Sequence, residues 1–136
     1  MVNWQHIDNV LLDMDGTLLD LSFDNYFWLE FLPQKISTRK NISLEDASEM
    51  VRSLSESTYG SLLWYCLDHW SEKLDMDVEA LKKEVRHKIK MRPYCAEFLS
   101  YIKNLNKRIV LVTNAHPKAL AIKISASGLD EHMEEM

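Results

Sequence analysis

The chain has 136 residues, 21 acidic and 16 basic, with a formal charge of −5 when histidine is neutral. Hydrophobic residues make up 46% and charged residues 27%, a balance that excludes wholesale disorder. The acidic excess argues against a nucleic-acid polymer as partner, since that affinity rests on Lys and Arg.

Taken in chain order, Met1-Val2-Asn3-Trp4-Gln5-His6-Ile7-Asp8 lacks the basic stretch and apolar core of a signal peptide. No apolar run approaches the ~18 residues that span a bilayer, so a cytoplasmic protein with no membrane partner is expected. Residues 9–14 contain the apolar run Val10-Leu11-Leu12, which stops at Asp13-Met14-Asp15-Gly16 and predicts a buried strand. Residues 23–32 are strongly aromatic and predict a helix ending near Pro33. Ser43 followed by Asp46 resembles a capping box and opens a helix with Leu44, Ala47, Val51 and Leu54 on one face. Leu63, Leu67, Trp70 and Leu74 form a second stripe. Val78, Leu81, Val85 and Ile89 form a third, with Lys82, Lys83 and Glu84 on its outer side. Cys66 and Cys95 stand far apart with no CxxC and read as reduced, buried intracellular thiols.

Pro93 suits the first turn of a helix carrying Phe98, Leu99, Ile102 and Leu105. Residues 108–113 hold the second strand, Ile109-Val110-Leu111-Val112, running into Thr113-Asn114. Pro117 opens a last helix with Leu120, Ala121 and Ile124, and Gly128 suits its C-terminal cap. Glu131, Glu134 and Glu135 read as a solvated acidic tail. The order is strand, long helical insertion, helix, strand, helix. Without the insertion it is a parallel crossover unit of an α/β sheet, in which ligands sit at the C-terminal strand ends. Both polar clusters fall at such ends.

Asp13 and Asp15 are two apart in extended chain and so share a face. Their repulsion favours a bound cation or a shared proton, and hard oxygen donors of this kind suit Mg²⁺. Gly16 lets the backbone turn and present N–H groups to an anion. An acidic turn closing a strand is the plainer reading. The apolar strand before it, Thr17-Leu18-Leu19-Asp20 after it and the second polar strand end favour a functional site. His6, His69, His87 and His132 show no ligand spacing, while His116 adjoins the second cluster.

Asp13-Met14-Asp15-Gly16-Thr17-Leu18-Leu19-Asp20 together with Leu111-Val112-Thr113-Asn114 closely resembles the first two motifs of the haloacid dehalogenase superfamily. Asp24-Asn25-Tyr26-Phe27-Trp28, Trp64-Tyr65-Cys66-Leu67-Asp68 and Thr113-Asn114-Ala115-His116-Pro117 look like that superfamily's bacterial 5′-nucleotidases for GMP and IMP. The resemblance implies an incomplete Rossmann-like core over residues 1–20 and 91–136, with a helical cap over 21–90. It implies Asp13 as the nucleophile that forms an aspartyl-phosphate, and Asp15 as general acid and then base. It implies Mg²⁺ held by the Asp13 carboxylate and the Asp15 carbonyl, and phosphate held by Gly16, Thr17, Thr113 and Asn114. The second Asp favours ester hydrolysis over dehalogenation, because an alkoxide leaving group needs an acid. Asn25, Tyr26 and Trp28 are candidates to meet a purine base, although aromatic packing is the commoner fate of such residues.

The family's third motif, a Lys, and its fourth, an acidic pair, do not follow Gly128-Leu129-Asp130 here. Lys118 and Lys123 lie on the helix after the second motif and do not match that Lys. Glu134 and Glu135 follow no apolar strand. The expectation is a truncated phosphatase with impaired or no activity, since losing one preorganised electrostatic donor costs ~10²–10³ in rate. A further expectation is an open apolar edge at Val10 to Leu12, with self-association through it. A sugar-phosphate phosphatase or phosphomutase, or a non-catalytic binding module, are the alternatives.

Overall fold

The computed structural model describes residues 1–133. Two strands, β1 (Asn9–Leu12) and β2 (Arg108–Leu111), pair in parallel with Val10 opposite Ile109 and Leu12 opposite Leu111. Each ends two residues before the end of its predicted segment, 9–14 and 108–113, although the Val112 N–H still donates to the Leu12 carbonyl at 2.8 Å. The rest is helical: α1 (Ser22–Tyr26), α2 (Leu32–Lys40), α3 (Leu44–Thr58), α4 (Leu67–Leu74), α5 (Val78–Glu84), α6 (Cys95–Asn104) and α7 (Pro117–Ser127). The outcome is a mostly helical α/β protein with a small parallel sheet.

Local chemistry sets several boundaries as expected. The Ser43 hydroxyl accepts from the Asp46 N–H at 3.0 Å and starts α3. Pro117 occupies the first turn of α7, and Gly128 ends it at φ 72°. Ala47 and Val51 are buried along α3, although Leu44 at its start is exposed.

Other boundaries differ. The aromatic helix does not stop at Pro33. A π-helical turn over Phe27–Phe31 links α1 to α2, and Pro33 sits in the first turn of α2. The Leu32 N–H bonds the Phe27 carbonyl five residues back, and the proline, with no N–H of its own, follows directly after that wide turn. Leu63 leaves its stripe: it lies in a 3₁₀ turn (Leu62–Trp64) and is 48% exposed, while Leu67, Trp70 and Leu74 are buried. Pro93 precedes α6 in a turn that Tyr94 closes at φ 65°. On α7 the buried positions are Ala119, Ile122, Lys123 and Ile124, and Ala121 is exposed. Lys82 is buried rather than outward-facing, whereas Lys83 and Glu84 do face solvent. Cys95 is buried and Cys66 half-buried, both as free thiols. Glu134 and Glu135 lie outside the described residues.

The chain leaves and rejoins the sheet region at one place. The Asp20 N–H donates to the Lys90 carbonyl, and the Arg92 N–H to the Leu18 carbonyl, each at 2.9 Å. These bonds close the neck of the helical segment directly after the loop that follows β1. The buried apolar cluster continues through this neck, from Phe27 and Leu32 through Met14 and Leu19 to Ile102 and Ile109. Among the described residues β1 pairs with β2 alone, and Leu11 is 66% exposed. No helix among these residues is long and apolar enough to cross a membrane.

Candidate active site

The ends of β1 and β2 open into a cleft of about 810 Å³, within the usual size of small-molecule sites. Asp13, Asp15, Thr113 and Asn114 line its floor, and Trp28 and Trp64 belong to its helical wall. The floor is assembled because parallel pairing places both strand ends side by side.

Met14 alternates with the two aspartates and is fully buried, which turns Asp13 and Asp15 together toward the opening. Asp13 is exposed, and no hydrogen bond from the described residues reaches its carboxylate. The loop beyond is tightly bonded. The Gly16 N–H donates to the Leu19 carbonyl at 2.9 Å, and the Thr17, Leu18 and Leu19 N–H groups all converge on the Met14 carbonyl. Gly16 needs its φ of 77°, and a Cβ there would press on Leu21 at 3.2 Å. Its N–H and that of Thr17 are thus engaged inside the loop, and neither residue is among those lining the cleft.

At the second strand end, the Thr113 hydroxyl oxygen accepts from the Ala115 N–H at 3.1 Å, so its own proton stays available to an oxygen in the cleft. His116 caps α7 by accepting from the Lys118 N–H, and its ring also lines the cleft. Asn25 and Trp28 reach the cleft too. Tyr26 is not among its lining residues and packs on Phe31 and under the Lys88 ammonium.

Two lysines complete the wall. The Lys123 ammonium bonds Asp15 Oδ1 at 2.6 Å and both oxygens of Asp24, at 2.8 and 3.0 Å. Lys82 approaches Asp24 at 3.8 Å and lies over the rings of Phe27, Trp28 and Phe23. Burial pushes the Lys82 ammonium down to about 8, against the opposing pull of Asp24. At the rim, Lys118 bonds Asp68 at 2.6 Å and holds that carboxyl below the usual carboxylate range. The Ser22 hydroxyl and N–H likewise hold Asp20 low at the neck.

The sequence profile of haloacid dehalogenase-like hydrolases matches residues 10–135. The chain belongs to this family. It is 42% identical over 133 residues to the GMP/IMP nucleotidase YrfG of Escherichia coli K12, and equally to that of Shigella flexneri. The alignment covers 98% of this chain and 60% of each relative's length. Among solved structures, an HAD phosphatase from Thermococcus onnurineus superposes with a TM-score of 0.81 at 24% identity, over 95% of this chain and 60% of that one. A β-phosphoglucomutase-like protein from Thermotoga maritima gives 0.57 at 14% identity, over 96% and 60%. These two likenesses bear on the fold alone.

Asp24, Lys82 and Lys123 form a charged group in the cleft to which the sequence reading gave no role in the site. A signal existed for both lysines. Lys82 stands at i+4 from Val78 and next to Leu81, on the apolar face of α5. Lys123 stands at i+4 from Ala119 on that of α7.

Proposed function

We propose that the cleft hydrolyses phosphate monoesters, with purine nucleoside 5′-monophosphates such as GMP and IMP as substrates. The observation that carries this is the convergence of Asp13, Asp15, Thr113 and Asn114 on one cleft from two adjacent parallel strand ends. The likeness to nucleotidases that act on GMP and IMP supports the substrate class, and the tryptophan-bearing wall offers a surface for a purine. The unpaired thiols agree with a reducing cytoplasm.

In this reading an Asp13 carboxylate oxygen attacks phosphorus, and the bond from phosphorus to the ester oxygen breaks. Asp15 gives that oxygen its proton. A water then attacks the aspartyl-phosphate, Asp15 takes the water's proton, and Asp13 is regenerated as phosphate leaves. Thr113 and Asn114 hold phosphoryl oxygens. Gly16 and Thr17 act by shaping the loop that aims the two aspartates. The Asp13 carboxylate and the Asp15 carbonyl would hold Mg²⁺, and their hard oxygens fit it. When bound, the ion neutralises charge on the phosphoryl oxygens. No group of three or more metal-binding side chains stands among the described residues. Slow turnover is expected, since each preorganised charge-stabilising group that a site lacks costs ~10²–10³ in rate. Residues 21–90 would act as a cap that selects the leaving group, hinged at the neck bonds of Asp20 and Arg92.

Phosphate release measured with GMP, IMP, AMP and glucose 6-phosphate, with and without Mg²⁺, tests the reading. The expected result is slow Mg²⁺-dependent release favouring GMP and IMP, abolished by Asp13→Asn. Preference for the hexose phosphate would overturn the nucleotide assignment, and no release from any ester would overturn the activity. The open side of β1, with Leu11 exposed, favours a second property, pairing with another copy of the chain. Sedimentation of the same preparation reads it, and a monodisperse monomer would dismiss it.

A further inference from the structure

Four charged side chains alternate in sign across the seam between the helical segment and the sheet region: Lys82 on α5, Asp24 on α1, Lys123 on α7 and Asp15 after β1. Lys123 is the link. Its side chain is 6% exposed and, among the described residues, bonds those two aspartates alone. An ammonium has three donors, and three short contacts to carboxylate oxygens engage them, leaving none for a substrate oxygen. Lys123 therefore acts through Asp15 rather than on phosphate. It engages Oδ1 of Asp15, and no hydrogen bond from the described residues reaches Oδ2. A carboxylate held by one oxygen, with the other free, is oriented for proton transfer at the free one.

We propose that Lys123 is a positioning residue that fixes the Asp15 carboxylate for its acid–base work, with Asp24 anchoring Lys123. Because Asp24 belongs to α1, Asp15 is set in place only while the helical segment is packed on α7. A buried charge cluster is a costly way to fill space, and apolar side chains of equal volume would do so without desolvation. Orientation of Asp15 accounts for keeping it. The inference rests on the role given to Asp15 above, so its test must separate the two.

The test compares the wild-type chain with Lys123→Met, Lys123→Arg and Asp24→Asn. One measurement is steady-state phosphate release from GMP, whose alkoxide leaving group needs a proton, and from p-nitrophenyl phosphate, whose leaving group does not. Lys123→Met should lower kcat on GMP about 100-fold with KM little changed, and lower it on p-nitrophenyl phosphate less than about fivefold. Lys123→Arg should recover most of the loss, and Asp24→Asn should show the same selective loss at smaller size. The second measurement is amide hydrogen exchange at Gly16 and Leu19, whose N–H groups hold the Asp15 loop. It should quicken about tenfold in Lys123→Met and stay near wild type in Lys123→Arg.

Equal losses on both esters would mark Lys123 as merely structural and overturn the proposal, as would unchanged kcat and exchange in Lys123→Met. If Lys123→Met does not fold, Lys123→Arg and Asp24→Asn carry the same comparison. A wild-type chain that releases no phosphate from either ester defeats the phosphatase reading. The exchange measurement then decides alone: faster exchange upholds the hold of Lys123 on Asp15, and unchanged exchange overturns it.

Discussion

Helix α7 carries two lysines five positions apart, and each meets an aspartate at 2.6 Å. Lys118 bonds Asp68 at the rim, where the two side chains are 45% and 61% exposed. Lys123 bonds Asp15 at the bottom of the cleft, where they are 6% and 35% exposed. Contact length is the same, so the difference between the two ends of α7 lies in what surrounds the charges. At the rim, water screens the pair and competes for its donors. At the bottom the Lys123 ammonium is nearly cut off from water and depends on its protein partners, while Asp15 keeps a face toward the cleft. A distance alone therefore does not say what an ion pair contributes.

The sharpest way to test this contrast is to remove the inner cation. Lys123→Met leaves Asp24 facing only Lys82, 3.8 Å away, and leaves the Asp15 carboxylate without its partner. Partial exposure of both aspartates tempers the loss. A destabilisation of about 2–3 kcal/mol is expected in urea unfolding at pH 7. A loss too small to measure would put the two ends of α7 on the same footing.

Lys82 extends the comparison to a cation that is buried without a short ion pair. Its nearest carboxylate oxygen is at 3.8 Å, and aromatic faces of Phe27 and Trp28 lie 4.5 and 4.8 Å away. These contacts do not repay its desolvation fully, because its ionisation falls from 10.5 to about 8. The sign follows directly. Between pH 8 and 10.5 the unfolded chain keeps the Lys82 proton and the folded chain has lost it, so stability from this group rises with pH. Below pH 8 both states are protonated and the folded state carries the full burial cost. Lys82→Met should therefore stabilise the chain by about 1–2 kcal/mol at pH 7 and by less at pH 9.5. A gain that stays equal at the two pH values would show that the niche accepts the ammonium without strain on its ionisation.

What the sequence made legible follows the range of the interactions. The Ser43 cap, the Pro117 start and the Gly128 stop each rest on atoms within four residues, and a reading of local chemistry finds them. The two strands and their polar ends are legible because an apolar run ended by Asp or Thr-Asn has few other uses in an α/β chain. The charge cluster was not legible. Lys123 meets Asp24 and Asp15 across 99 and 108 residues of chain, and no local pattern encodes that pairing. Lys82 was hidden because it stands beside Lys83 and Glu84, which do face solvent, and so reads as part of their outer side. The passage through Pro33 escaped for another reason. The wide turn over Phe27–Phe31 lets the chain restart a helix at a point where a proline in the first turn is welcome.

The outer pair gives the smallest effect and the cleanest check. Lys118 stands in the first turn of α7, where the helix dipole disfavours a cation. Asp68 offsets that by accepting its bond, and Glu79 lies 3.8 Å away on the other side. Asp68 titrates below its ordinary 3.8 and Lys118 above its ordinary 10.5, each mainly through their shared bond. Any stabilisation from the pair is thus present between those values, and fades as acid protonates Asp68 or base neutralises Lys118. Both groups are solvated, and removing Lys118 also removes a charge from the wrong end of a helix. Lys118→Met should therefore move the midpoint of thermal unfolding at pH 7 by less than about 1 °C, and added salt should erase even that. A shift as large as that of Lys123→Met would mean that α7 is held to the helical segment equally at both ends, and that burial does not rank its two ion pairs.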